Sequence, residues 1–463
     1  MRLLHHRTKE AYKLMHDGIL AFARAERQGM RVDLDYIERK KEFLTKKITK
    51  LENEFKDTNF FKHWQHTTKG TVNIYSNAQL SYFLYSVKKL KPDKQTDSGQ
   101  GSTDEESLQQ LGIPELNVLL QITKLKKVRD TYLSAFAREQ VDGYLHPFFN
   151  LHLARTYRSS SDSPNFQNIP KRDEEAMNMC RKALFPRPGH QLLEADFSGL
   201  EVRIAACYHK DKTMVKYITD PTTDMHGDMA KQIFMIDNFD KKKPSHYTLR
   251  QAAKNGFVFP EFYGSYYKNC AINMACTWGK LPQGKWKPGT GLMLEDETLS
   301  DHLIARGFKS LNDFSEHLRV IEKDFWENRF AGYSAWKESH WKIYQKYGYI
   351  DLFTGFRCSG VMSKNDVSNY PVQGAAFHCL LWSFIEIDRI SREENWNTKL
   401  IGQIHDAIIL DVDPAELEHV KKTVRRVTCE DLPKAWSWII VPLDIEMEIC
   451  PVDGSWVEKT HLK

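Results

Sequence analysis

Apolar residues recur at helical spacing among lysines and glutamates from Leu34 to about Phe55, and again from Leu108 to Ala137, which predicts two long amphipathic helices. Between them, "KPDKQTDSGQGSTDEES" has no periodicity and reads as the flexible tip of a helical hairpin. The pattern then changes. "HQLLEADFSGLEVRIAACY" begins with an apolar run to Phe197, a strand, and continues past Gly199 as a helix. Residues 214 to 350 read as mostly helical, interrupted by the Gly- and Pro-rich loop "WGKLPQGKWKPGTG" at 278–291. Strand patterns return in "LIGQI", "AIILDV" and "VPLDIEMEI". There is no internal repeat, and helices flanking a sheet of sequence-distant strands form an α+β pattern.

At 463 residues, 41% hydrophobic and 12% aromatic, the chain can bury a large core, and the length prior suggests about three structural units. No stretch approaches the roughly 20 apolar residues of a membrane span, and the N-terminus has no apolar segment of a secretory signal, so a cytoplasmic, non-membrane protein is expected. The eight cysteines are scattered without a CxxC pair, which favours buried thiols over zinc or disulfides. A net charge of +5 does not by itself announce nucleic acid. Local runs such as "RKKEFLTKKITK" and "KLKKVR" are compatible with phosphate binding, although each alone reads as a solvated face.

Two acidic residues alter this picture. Asp406 lies with His405 between the apolar runs 400–404 and 407–412, where a tight hairpin would put both at its tip. Asp196 ends the apolar run "LLEAD". An Asp at such a position most often caps a turn. Brought together by one sheet, however, two carboxylates can hold two divalent cations for phosphoryl transfer, and oxygen ligands favour Mg²⁺.

Six segments in order resemble the DNA polymerase I family (family A) over nearly the whole chain: "RTYRSSSDSPNFQNIP" (155–170), "DFSGLEVR" (196–203), "DMHGDMAKQIF" (224–234), "RQAAKNGFVFPEFYG" (250–264), "NYPVQGAAFHCL" (369–380) and "QIHD" (403–406). The resemblance implies a right-hand polymerase architecture. The palm, with an antiparallel sheet, would comprise 1–33, 141–211 and 346–463; the helical thumb would be 34–140 and the fingers 212–345. The implied function is template-directed extension of a primer 3′-hydroxyl with dNTPs, on primer-template DNA, by a monomeric nucleotidyltransferase using two Mg²⁺ ions, with Mn²⁺ as a substitute.

The resemblance also implies roles. Asp196 and Asp406 would be the metal ligands. Lys254 would protonate the leaving pyrophosphate and, with Arg172, His226 and Arg250, hold the triphosphate; Arg250 and Lys254, four apart, share a helix face. Glu201 would crowd the space of a ribose 2′-hydroxyl. Arg158, Asn165, Gln167 and Asn168 would contact the nascent duplex, and Asn369, Gln373 and His405 would line its minor-groove side, where every base pair presents acceptors.

Departures from the family pattern are local. Tyr263 stands nine residues beyond Lys254 where eight is usual. Counting forward gives Val258 as the nucleotide-side residue, whereas counting back from Tyr263 gives Phe259, which is preferred because a ring can stack on a base. Pro260 is expected to disturb the helix near Gly256. Ala407 stands where the family has Glu, and Gly199 where it has Gln. Only a dozen residues precede "LMHDGILAFARAERQGMRVD", which resembles the start of the polymerase region. Proofreading by this chain is therefore not expected; a phage-like enzyme with its exonuclease or a processivity factor on another chain would fit. A single-chain RNA polymerase or primase-like enzyme, and a degenerate duplex-binding protein, are the rival readings. Glu201 speaks against the first and retention of Asp196, Asp406, Arg250 and Lys254 against the second.

Overall fold

The computed structural model describes residues 6–68, 70–92, 95–96, 98–170 and 173–462. Its centre is a five-stranded antiparallel sheet, in spatial order Lys399–Ile404, Ala407–Val412, Gln191–Phe197, Ile445–Ile449 and Thr460–His461. The strand Gln191–Phe197 carries apolar groups on both faces, and the sheet accordingly separates two cores. Leu193, Ala195 and Phe197 join the larger one, with the helices flanking the sheet and those of residues 200–350. Leu192, Ala407 and Ile409 join the smaller one, with the helices of residues 34–139.

The first core is closed by the 30-residue helix Lys364–Glu393, opened by a reciprocal Ser363/Asp366 capping box, and by the helix His6–Gln28 lying along the strand Lys399–Ile404. Arg24 Nε donates to both carboxylate oxygens of buried Asp388 at 3.0 Å, tying these helices together. The second core forms where Leu34–Asp57 packs against Pro114–Lys127 through Ile37, Leu44, Ile48, Leu116, Leu119 and Ile122.

The single helix expected over 108–137 is corrected by the structure. Glu105–Gln110 stops at Gly112, Pro114 opens Pro114–Lys127, and a π-helical turn, Val128–Leu133, leads into Ser134–Glu139. The apolar spacing persisted through Gly112, which follows the end of one helix, and Pro114, which opens the next. Of the expected hairpin tip, residues 93, 94 and 97 lie outside the described residues, and Gln95 bridges Gly101. Among the described residues no helix is long and apolar enough to cross a membrane.

Candidate active site

The two aspartates meet through main-chain pairing. Lys399–Ile404 and Ala407–Val412 form a hairpin whose two-residue turn is His405–Asp406, with His405 at φ 52°. In the next ladder Asp196 is the partner of Ala407, and the amide of Phe197 donates to the carbonyl of Asp406 at 3.1 Å. Along this face of the central strand the chemistry grades from buried Leu192, through Glu194, to half-buried Asp196 at the open edge. Burial pushes the Glu194 carboxyl up, but Lys459 at 2.6 Å, Arg181 and the Trp456 indole N–H at 3.0 Å together hold it below its usual value. On the far side Asp196 pairs with Glu446, which accepts from the Ser198 hydroxyl at 3.2 Å.

Among the described residues no three His, Cys, Asp or Glu side chains gather as a metal cage. Adjacent Asp196 and Asp406 nevertheless fit Mg²⁺, which is commonly held by one or two carboxylates together with waters and substrate phosphates rather than by a dedicated protein cage.

A cavity of about 300 Å³ brings Asp406 together with Glu201, Lys254, Phe259, Tyr263, Asn369 and Gln373. Lys254 ends the helix Pro244–Ala253 and begins a π-helical turn, Lys254–Val258, after which Phe259–Phe262 resumes α-helical geometry with Pro260 in its first turn. A π turn holds one more residue than an α turn. This accommodates both the extra residue and Pro260, whose missing N–H costs least where the helix is already re-forming. Gly256, inside the turn, is required by proximity: a Cβ there would lie 2.4 Å from Met274 Cγ on the neighbouring helix. Val258 is buried, while Phe259 faces the cavity, 5.5 Å beneath the Lys254 ammonium and 5.7 Å edge-on from His226. Burial, and then the Arg250 charge, lower the Lys254 pKa. Burial followed by Arg250 and Lys254 pushes His226 down to about 4, so it is neutral at pH 7; its Nδ1 is buried without a hydrogen-bond partner among the described residues.

Glu201, in the first turn of Leu200–His209, takes an ion pair from Arg158 and a hydrogen bond from the Tyr263 hydroxyl. Burial lowers the Arg158 pKa and the charge of Asp406 opposes that shift, so this guanidinium links the Glu201 and Asp406 sides of the site. A second, wider cavity of about 1070 Å³ adds Arg158, Gln167 and His405 to Asp406 and Phe259. Gln167 is anchored from below: its amide donates to Ser159 Oγ at 2.8 Å and to Gln403 Oε1 at 3.1 Å. Asn168 lines a cleft with Lys124 and Lys127 that also reaches Gln167 and His405. Asn165 instead caps the short helix Phe166–Asn168, accepting from the Asn168 amide at 3.1 Å. Arg172 lies outside the described residues.

Several residues at the site escaped sequence reasoning. Gln403 is 1% exposed in a strand pattern, and its only signal was an amide among aliphatics. Ser159 looked like turn chemistry. Asp224 caps Met225–Phe234 and also receives Arg250 through two hydrogen bonds, of 2.7 and 2.8 Å. Such a pairing across 26 residues leaves no periodic trace.

Comparison with known proteins identifies the family. The profile of DNA polymerase family A matches residues 35–279 and 356–456. DNA polymerase I of Caldicellulosiruptor bescii is 26% identical over 416 residues, 87% of this chain and 42% of that protein. The thermostable DNA polymerase I of Thermus filiformis is 27% identical over 444 residues, 94% of this chain and 47% of its own. The chain thus spans less than half the length of these relatives. The POL domain of Pol1 from M. smegmatis, solved with DNA primer-template and dNTP, has the same fold, with a TM-score of 0.72 at 22% identity over 95% of this chain and 70% of that one. With the profile covering both the aspartate-bearing strands and the Arg250–Lys254 helix, the chain belongs to DNA polymerase family A.

Proposed function

We propose that this chain extends a primer 3′-hydroxyl with dNTPs, directed by a template strand. The observation that carries this reading is that Asp406, held beside Asp196 in the strand pairing, and Lys254 line one cavity. A polyphosphate lying between them would meet acid-derived metal ligands at its α end and cations at its β and γ end. Bound at Asp196 and Asp406, a pair of Mg²⁺ ions, or Mn²⁺ in their place, would neutralise phosphate charge and acidify the primer hydroxyl.

The chain's own groups do the rest. Arg250, Lys254 and neutral His226 orient the triphosphate, and positioning of this kind accounts for much of the rate of phosphoryl transfer. Lys254, its proton already loosened by burial and by Arg250, gives that proton to pyrophosphate as it leaves. Phe259 supports the incoming base. Glu201, fastened by Arg158 and Tyr263, stands where a 2′-hydroxyl would come and selects deoxyribose. Gln167, Asn168, Asn369, Gln373 and His405 follow the minor groove, and the lysine-bearing helices within 34–140, the thumb, follow the backbone. In the same reading the fingers are 212–345, the palm comprises the remaining segments, and the enzyme works as a cytoplasmic monomer.

Primer extension with each nucleotide class, with and without Mg²⁺, tests this. Deoxynucleotides should be added only with metal, and ribonucleotides poorly. Absence of metal-dependent extension would overturn the reading.

A further inference from the structure

Asp224 is the N-cap of Met225–Phe234, and its Oδ1 accepts from the Gly227 amide at 3.1 Å. The same carboxylate receives Arg250 Nη2 at 2.8 Å and Nε at 2.7 Å. Gly227 makes room for this double duty, since a Cβ at 227 would lie 2.8 Å from Asp224 Oδ2. His226 follows the cap by two residues and Lys254 follows Arg250 by four. One carboxylate therefore joins the ends of two finger helices and leaves Nη1 of Arg250, with the second Nη2 hydrogen, for another acceptor.

We propose that Asp224 is a positioning residue for nucleotide binding: it fixes the Arg250 guanidinium beside His226 and Lys254 before a triphosphate arrives. The inference rests on the reading of Arg250 as a triphosphate ligand. An arginine side chain free to rotate would lose conformational entropy on gripping phosphate, whereas a planar fork already held at two donors loses little. The negative charge of Asp224 works against phosphate. The double hydrogen bond outweighs it because the guanidinium keeps its full charge and presents it in one direction.

The experiment is dNTP binding to a complex with dideoxy-terminated primer-template, which reports affinity without turnover. Asn is as good a cap as Asp, so Asp224→Asn should keep the helix start while removing the charged fork. It should weaken dNTP binding about tenfold, the loss of one charge-assisted contact, with DNA affinity unchanged. Combined with Arg250→Ala it should add nothing further. A second variant, Gly227→Ala, improves helix propensity but crowds the carboxylate, and should weaken binding in the same way without lowering thermal stability. Unchanged or tighter dNTP binding in both Asp224→Asn and Gly227→Ala, or an equal loss from Asp224→Asn in the Arg250→Ala background, would overturn the proposal. If Arg250→Ala alone leaves dNTP affinity intact, the triphosphate reading of Arg250 fails first, and the inference falls with it.

Discussion

The amide of Phe197 donates to the carbonyl of Asp406 at 3.1 Å, which locks the hairpin turn onto the end of the central strand through main-chain atoms alone. The two aspartate residues are thereby held as neighbours by a backbone that side-chain substitution leaves intact. Asp406→Asn, and likewise Asp196→Asn, should abolish primer extension while changing duplex affinity by less than about twofold, because phosphate contacts made elsewhere dominate DNA binding. Gel-shift and extension assays on the same preparations check this; loss of DNA binding with normal turnover would contradict the assignment.

Glu201 is fastened by Arg158 and Tyr263 from two sides. A gate clamped in this way should fail in stages. Glu201→Ala is expected to reduce the preference for dNTP over NTP by at least about tenfold, with Tyr263→Phe intermediate. Competing extension with the two sugars gives the ratio directly.

The two ways of counting along the helix that carries Lys254 and Phe259 separate experimentally. Val258 is 0% exposed and Phe259 lines the cavity. Val258→Ala should cost about 2 kcal/mol of stability by opening a cavity and leave dNTP KM nearly unchanged. Phe259→Ala should raise dNTP KM with little change in melting temperature. Thermal denaturation and steady-state kinetics on both variants decide.

On the buried side of that helix, burial pushes the Glu261 carboxyl up to about 8, while the Trp326 indole N–H at 2.9 Å opposes the shift and Glu322 reinforces it. The folded protein then holds a proton that the unfolded chain releases above its ordinary value near 4.5. With more protons bound in the folded state, stability falls as pH rises from about 5 towards 8. Glu261→Gln imitates the protonated acid and should flatten this decline, gaining a few degrees of melting temperature near pH 8. A parallel pH dependence in both proteins would assign the decline elsewhere.

Much of the sheet was legible because Leu192, Leu193, Ile408, Ile409 and Leu410 lie in apolar runs of strand length bounded by turn residues, and because Asp196 and Asp406 interrupt such runs where burial of a lone charge is costly. Helix continuity was less legible. Over 108–137 the apolar spacing outlasted Gly112 and Pro114, and the break appears only once Leu116 and Leu119 pack on Leu34–Asp57. The links among Ser159, Gln167 and Gln403 were invisible for a different reason: amide and hydroxyl groups declare their partners only in three dimensions.

A helix that gains a residue must either turn every later side chain by about 100° or hold the surplus in one place. The helix that carries Lys254 and Phe259 does the second, in the π turn Lys254–Val258, with the Lys254 ammonium 5.5 Å from the Phe259 ring centre. For this surface, length along the polypeptide is a poor ruler. A tyrosine eight or nine positions beyond the lysine can close the same turn, and alignments that force one spacing will misname the residue that faces the cavity.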